Sequence, residues 1–209
     1  MKLYAMPWTC ALAPHIALEW IGEPYELVMM KKGQHLKPDY LNINPKGKVP
    51  ALVVETGKVL TEAPAVLMYL ADRFPDARLG PADATPEARY DLLECLSFMS
   101  SEVHAHYTGH FAPQRLHPDK AEHDRIKVRT YERLADDYAA LEKRMIASDH
   151  PVAGRRTVAD AFLFVLTRWL DLTPLDIGDY PGLERFRQSM EEDADVERAL
   201  EQHELTAAA

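Results

Sequence analysis

Every run in this chain that reads as a β-strand lies before residue 80. Beyond Gly80-Pro81-Ala82-Asp83-Ala84 the apolar residues recur only at helical spacing. A chain divided in this way predicts a small α/β unit at residues 1–78, then an all-helical unit at 85–209 joined to it by a Pro/Gly linker.

Lys2 to Met6 is too short for a helix and reads as a strand; Pro14 to Ile21 carries Ile16, Ala17, Trp20 and Ile21 on one side of a helix that Gly22 ends. Because proline is tolerated only in the first turn, Pro14 places the start of that helix no earlier than about Ala11. Tyr25 to Met30 completes a right-handed βαβ unit. Lys31 to Lys48 is a long polar loop with one helical turn near Asp39 to Leu41, and loops of that length in a compact unit are usually functional. Val49 to Val54 and Val59-Leu60 flank a Gly-containing turn, a hairpin, with Pro50 at the strand start. Glu62 to Arg73 is a third helix facing inward through Ala65, Val66, Tyr69 and Leu70. The order βαβ-ββα predicts a mixed four-stranded sheet.

In the second unit, Thr85-Pro86 opens a helix running through Cys95 and Met99 towards His104. Tyr131, Leu134, Tyr138, Leu141 and Met145 mark an amphipathic helix within Asp119 to Met145. Thr157-Val158-Ala159-Asp160 is a capping box with Asp for Glu, ahead of the apolar Ala161 to Leu170 at the centre of the unit. Pro181-Gly182 reads as a turn before the last helix, and Thr206 to Ala209 is expected to fray.

With 47% hydrophobic residues among 209, the chain buries a full core. A formal charge of −9 without a basic block argues against nucleic acid and against an anionic membrane surface. Two cysteines make no secreted disulfide framework, no signal-like core precedes Pro7, and no apolar stretch spans a bilayer. The expectation is a soluble protein of a reducing cytoplasm.

Cys10 falls just outside the first turn of its helix, where unpaired N–H groups and the dipole favour a thiolate. The residues alone leave two readings open: a poised sulfur or a small buried hydrophobe. In a βαβ-ββα sheet, Cys10 and Val49-Pro50 can share one crevice, and a cis bond before Pro50 would turn the Val49 N–H and C=O outward to pair with an extended peptide. The Ala63 amide at the start of the third helix suits a carboxylate and Glu62 an ammonium, while Lys31 and Lys32 offer a cation for a second carboxylate. These features describe a pocket for a small peptide with one free amine and two carboxylates.

Glutathione is such a peptide, and nearly the whole chain resembles the glutathione transferase family, a thioredoxin-like domain followed by a helical one. The matching segments are Cys10 with Ala13-Pro14-His15-Ile16-Ala17-Leu18, Asn44-Pro45-Lys46-Gly47-Lys48-Val49-Pro50-Ala51-Leu52, Leu60-Thr61-Glu62, Tyr69-Leu70-Ala71-Asp72, and Thr157-Val158-Ala159-Asp160-Ala161. A cysteine at position 10 resembles the bacterial beta class. The resemblance implies that His104, in Ser101-Glu102-Val103-His104, faces Cys10 in preference to His106. It implies that Lys32 meets the glycine end or the cysteinyl backbone of glutathione, that Val49 meets the cysteinyl amide with Lys48 and Pro50 also at the glutathione site, and that Glu62 and Ala63 hold its γ-glutamyl end. Pro7, Trp8, Tyr107, Phe111 and Trp169 are expected to wall the electrophile cleft, with core packing the competing role for Trp169.

The departures are specific. Ala63 stands where the family has Ser or Gly, Ser97 where some members carry an Asn that reaches the partner's glutathione, Ala5 where some carry Tyr, and Arg156 where an apolar staple precedes the capping box. The four histidines from His104 to His117 have no metal-ligand companions, so no metal is expected. The resemblance implies a homodimer that conjugates glutathione to small hydrophobic electrophiles, with mixed-disulfide chemistry at Cys10. The alternatives are a glutathione-dependent thiol–disulfide oxidoreductase, monothiol because Ala13 occupies the second cysteine position, and a binding protein without turnover.

Overall fold

The computed structural model describes residues 1–83, 85–152 and 154–208. Strands β1 (Lys2–Ala5), β2 (Glu26–Met29), β3 (Ala51–Val53) and β4 (Val59–Thr61) form one sheet in the order β2-β1-β3-β4. β1 pairs parallel with β2 and antiparallel with β3, and β4 closes the hairpin. Strand alternation sends Leu3 and Leu52 to the main core, beneath α1 (Leu12–Ile21) and α3 (Ala63–Arg73). The other face puts Tyr4 and Ala51 against Tyr40 of the short α2 (Pro38–Leu41). Tyr4 is therefore turned away from Ala5, as alternation requires.

The helical domain comprises α4 (Pro86–Phe98), α5 (His104–Phe111), α6 (His123–Ala147), α7 (Val158–Leu170), α8 (Pro181–Glu191) and α9 (Ala194–Ala208). Every residue of α7 but Arg168 is buried, and α1 packs on both α7 and α9, so the two domains share one core. The capping box forms: Asp160 Oδ2 accepts from the Thr157 N–H at 2.8 Å, and Thr157 Oγ1 accepts from the Ala159 N–H at 3.2 Å. An arginine does the work of the missing staple. Arg156 stacks 4.6 Å from the Trp20 ring centroid and pairs with Asp193 at 2.7 Å, joining α1 to the α8–α9 turn.

Two expectations are corrected and a third gains detail. The helix opened by Thr85 does run through Cys95 and Met99 to His104 and on to Phe111, with a π-helical turn over Met99–Val103 between α4 and α5. One residue more per turn shifts the helical register, and apolar spacing does not reveal it in advance. Pro181-Gly182 is the first turn of a helix rather than a turn before one, because the buried Glu142 of α6 accepts from the N–H groups of Gly182 and Leu183 at 2.8 and 2.9 Å. Two helices follow instead of one, since Asp193 ends α8 and its Oδ1 accepts from the Asp195 and Val196 N–H groups that begin α9. α9 runs to Ala208 across the segment expected to fray; Ala209, and Ala84 of the linker, lie outside the described residues.

Candidate active site

A cleft of about 550 Å³ opens between the sheet margin and α5. Its sheet side is set by backbone. The Val49–Pro50 bond is cis, and the loop before it is tied down where the Tyr40 hydroxyl and the Asn44 amide both donate to the Lys48 carbonyl, at 2.6 and 2.7 Å. Gly47 has φ +59, and a Cβ there would lie 3.2 Å from the His35 carbonyl, so the loop needs glycine. Glu62, held at φ +70 where a non-glycine residue is strained, turns the chain from β4 into α3 and leaves Ala63 as the first helical residue. Lys46 Nζ lies 2.6 Å from Glu62 Oε1 and 3.0 Å from Thr61 Oγ1, and this pairing holds the Glu62 carboxyl below the usual range.

Cys10 is 9% exposed on the cleft wall, its Sγ 3.9 Å from the Val49 carbonyl oxygen. Of the two readings left open for Cys10, this position favours the buried thiol over the thiolate. Burial pushes the thiol from its ordinary 9.0 up to about 12, against the opposing hydrogen bond of its own backbone amide. That rise costs the thiolate about 4 kcal/mol, several times what a helix terminus supplies.

The helical side is built from side chains. His104 lines the cleft, its ring 5.3 Å from that of Trp169, and burial and Lys48 lower its pKa while Glu62 opposes them, so it is neutral at neutral pH. His106 points elsewhere, with Nδ1 2.6 Å from Asp137 Oδ2. Tyr107, Phe111 and Trp169 pack ring on ring at 5.1 to 5.6 Å. The Tyr107 hydroxyl is committed to Tyr138, 2.8 Å away, which donates in turn to the Leu166 carbonyl, so only the ring of Tyr107 serves the cleft. Trp8, at φ +58 and 53% exposed, stands at the mouth under the Arg168 guanidinium.

Residues 1–72 match the glutathione S-transferase N-terminal domain family. The chain is 36% identical over 210 residues to glutathione S-transferase GstA of Escherichia coli O157:H7, covering 96% of this chain and 97% of that protein. The chain belongs to the glutathione S-transferase family. A sphingomonad glutathione S-transferase solved with glutathione superposes with a TM-score of 0.88 at 36% identity, over 98% of this transferase and all of that chain. The bacterial beta-class enzyme of Sphingomonas chungbukensis gives 0.86 at 35% identity, over 97% of this chain and 98% of the other.

Of the residues singled out from sequence, the cleft of this transferase brings together Cys10, Lys48, Val49, Pro50, Glu62, Ala63, His104, Trp8, Tyr107, Phe111 and Trp169. Trp169 is both a core residue and a cleft wall. Three residues fall outside. Pro7 sits in the turn after β1, which gives Met6, Trp8 and Thr9 to the cleft. Lys32 is exposed away from it, because the segment after Lys31 folds into a 3₁₀ turn (Gln34–Leu36) that presents His35 instead. Ser97 is exposed on α4, and the π-helical turn delivers Ser100 to the wall.

Sequence reasoning missed Lys46, His35, Thr61, Ser100, Arg115 and Phe162. Phe162 had a signal, lying seven residues before Trp169 and hence on the same face of α7. His35 had none. Its buried Nδ1 has no hydrogen-bond partner among the described residues. No group of three or more metal-ligating side chains occurs among the described residues, and none of the described helices is long and apolar enough to cross a membrane.

Proposed function

We propose that this transferase lays glutathione along β3 with its sulfur beside Cys10 and joins that sulfur to a small hydrophobic electrophile held against Phe111 and Trp169. Residues 1–78 bind the tripeptide and residues 85–209 supply the electrophile wall. Glu62 takes the γ-glutamyl ammonium, the Ala63 N–H its carboxylate, Val49 the cysteinyl backbone, and Lys48 and His35 the glycine end. The observation carrying this reading is the junction in one cleft of Cys10, Val49-Pro50, the Glu62-Ala63 helix start and His104.

A Cys10 thiol that resists ionisation is a hydrogen-bond donor, and its role is to stabilise the glutathione thiolate rather than to attack. Lowering a thiol pKa from near 9 to near 7 takes about 2.7 kcal/mol, within reach of two donors to a charged acceptor. Neutral His104 accepts the proton that leaves the glutathione sulfur and passes it to water. The carbon–sulfur bond then forms as the leaving group departs with its electron pair. The assembly is a homodimer pairing the first domain of one chain with the second of the other. Ser97, exposed outside its own cleft, would in that assembly serve the other subunit's glutathione.

Glutathione titrated calorimetrically, with 1-chloro-2,4-dinitrobenzene conjugation and mixed-disulfide reduction followed in native protein and Cys10→Ser, tests the reading. Binding with conjugation that falls in Cys10→Ser supports it. Absence of a glutathione heat overturns it, and conjugation untouched in a mutant that has lost disulfide reduction assigns Cys10 to thiol–disulfide exchange instead.

A further inference from the structure

The helical wall of the cleft is aromatic along its length and cationic at its end. α5 finishes at Phe111, the chain turns through Ala112, and a 3₁₀ turn (Pro113–Arg115) anchored by buried Pro113 brings Arg115 to the cleft. The Arg115 guanidinium has no ion pair or hydrogen bond among the described residues. Arg89, Arg144, Arg156, Arg168, Arg187 and Arg198 each sit on a carboxylate. On a chain of formal charge −9, an uncommitted guanidinium at the edge of a ring-lined cleft is a local site for an anion against a repulsive background.

The placement separates this cation from the peptide side. Lys46 and Lys48 stand on the sheet wall, whereas Arg115 follows Phe111, which is itself about 10 Å along α5 from His104 at 1.5 Å rise per residue. That interval, floored by Phe111, Tyr107 and Trp169, suits one substituted aromatic ring with a reacting carbon at the His104 end. A planar guanidinium pairs with a carboxylate through two parallel hydrogen bonds and with a neutral substituent far less well. We infer that this cleft selects aromatic carboxylic acids as its electrophiles, with the ring on Phe111 and Trp169 and the acid group on Arg115. The inference rests on the conjugating role proposed for the cleft and names its substrate class.

The experiment compares 4-chloro-3,5-dinitrobenzoate with its neutral primary amide. In both, the glutathione sulfur bonds to the ring carbon bearing chlorine, the carbon–chlorine bond breaks, chloride leaves with the electron pair, and the thiol proton goes to solvent. In Arg115→Gln the KM for the acid is expected to rise about tenfold, with the KM values for the amide and for glutathione moving less than about twofold. Arg115→Lys should recover part of the preference. Quenching of tryptophan fluorescence by 3,5-dinitrobenzoate and 3,5-dinitrobenzamide, which have no leaving group, reads the same selectivity without glutathione or turnover. Weaker binding of the acid alone in Arg115→Gln supports the inference even if conjugation is absent, in which case only the transferase reading fails. Equal losses for acid and amide, no loss for either, or a rise confined to the glutathione KM overturns it.

Discussion

The two walls of the cleft are made in different ways. On the sheet side, Val49, Pro50, Glu62 and Ala63 come from a short stretch around one hairpin and act mainly through backbone, with Lys46 and Glu62 already paired at 2.6 Å. On the helical side, His104, Phe111, Arg115, Phe162 and Trp169 come from segments far apart in sequence and act only through side chains. A backbone-built wall fixes one ligand, whereas a side-chain-built wall is free to vary its partner. The first suits the proposed tripeptide and the second the proposed electrophile.

The difference is easiest to break at Gly109, where α5 meets α6. A Cβ there would fall 1.9 Å from Thr130 Oγ1, so Gly109→Ala should cost about 3 kcal/mol or more by denaturant melting and disturb the electrophile wall before the glutathione wall.

The next effect strikes the support common to both walls. His15 of α1 and His203 of α9 lie 3.1 Å apart, and burial lowers their pKa values to about 4 and about 3, with Arg168 adding to the fall at His203 and Glu19 opposing it at His15. Both folded values lie below the unfolded 6.5. The unfolded chain therefore binds more protons in acid, and the stability these residues contribute is present above pH 6.5 and lost as pH falls towards 4. At pH 5 the loss from His203 is about 2 kcal/mol, so urea midpoints at pH 7.5 and 5 should separate less in His203→Phe than in native protein.

Paired substitutions sharpen the contrast in ligand terms. Glu62→Gln should weaken glutathione by roughly tenfold to thirtyfold and leave the electrophile KM within about twofold, as loss of a charge-assisted bond predicts. Phe111→Ala, at a ring 48% exposed, should raise the electrophile KM about fivefold and spare glutathione. Reciprocal damage by either variant would mean that the walls do not act separately. The smallest effect is a gain. Ala63→Ser restores a hydroxyl at the start of α3 and should tighten glutathione by about 1 kcal/mol in a calorimetric titration.

The sheet-side wall was largely legible in the sequence, and the helical wall was not. Cys10, Pro50 and Glu62 declare themselves through proline position, a helix start and a hairpin, all set within a few residues. Lys32 lies outside the cleft because a 3₁₀ turn between Lys31 and Lys37 presents His35 there, and Ser100 rather than Ser97 lines it because the π-helical turn re-registers the chain before α5. Neither turn leaves a periodic signature.

By itself, then, the order of residues determined the strands, most of the helices, where the sheet ends, and that a cysteine stands beside a helix start, because capping, proline geometry and apolar spacing act over a turn or two. Only the tertiary structure decided that Cys10 is a buried thiol resistant to ionisation, that Arg156 joins α1 to the α8–α9 turn, and that Arg115 faces the aromatic cleft. Those outcomes depend on desolvation and on contacts between residues distant along the chain, and such quantities do not exist until the helices have packed.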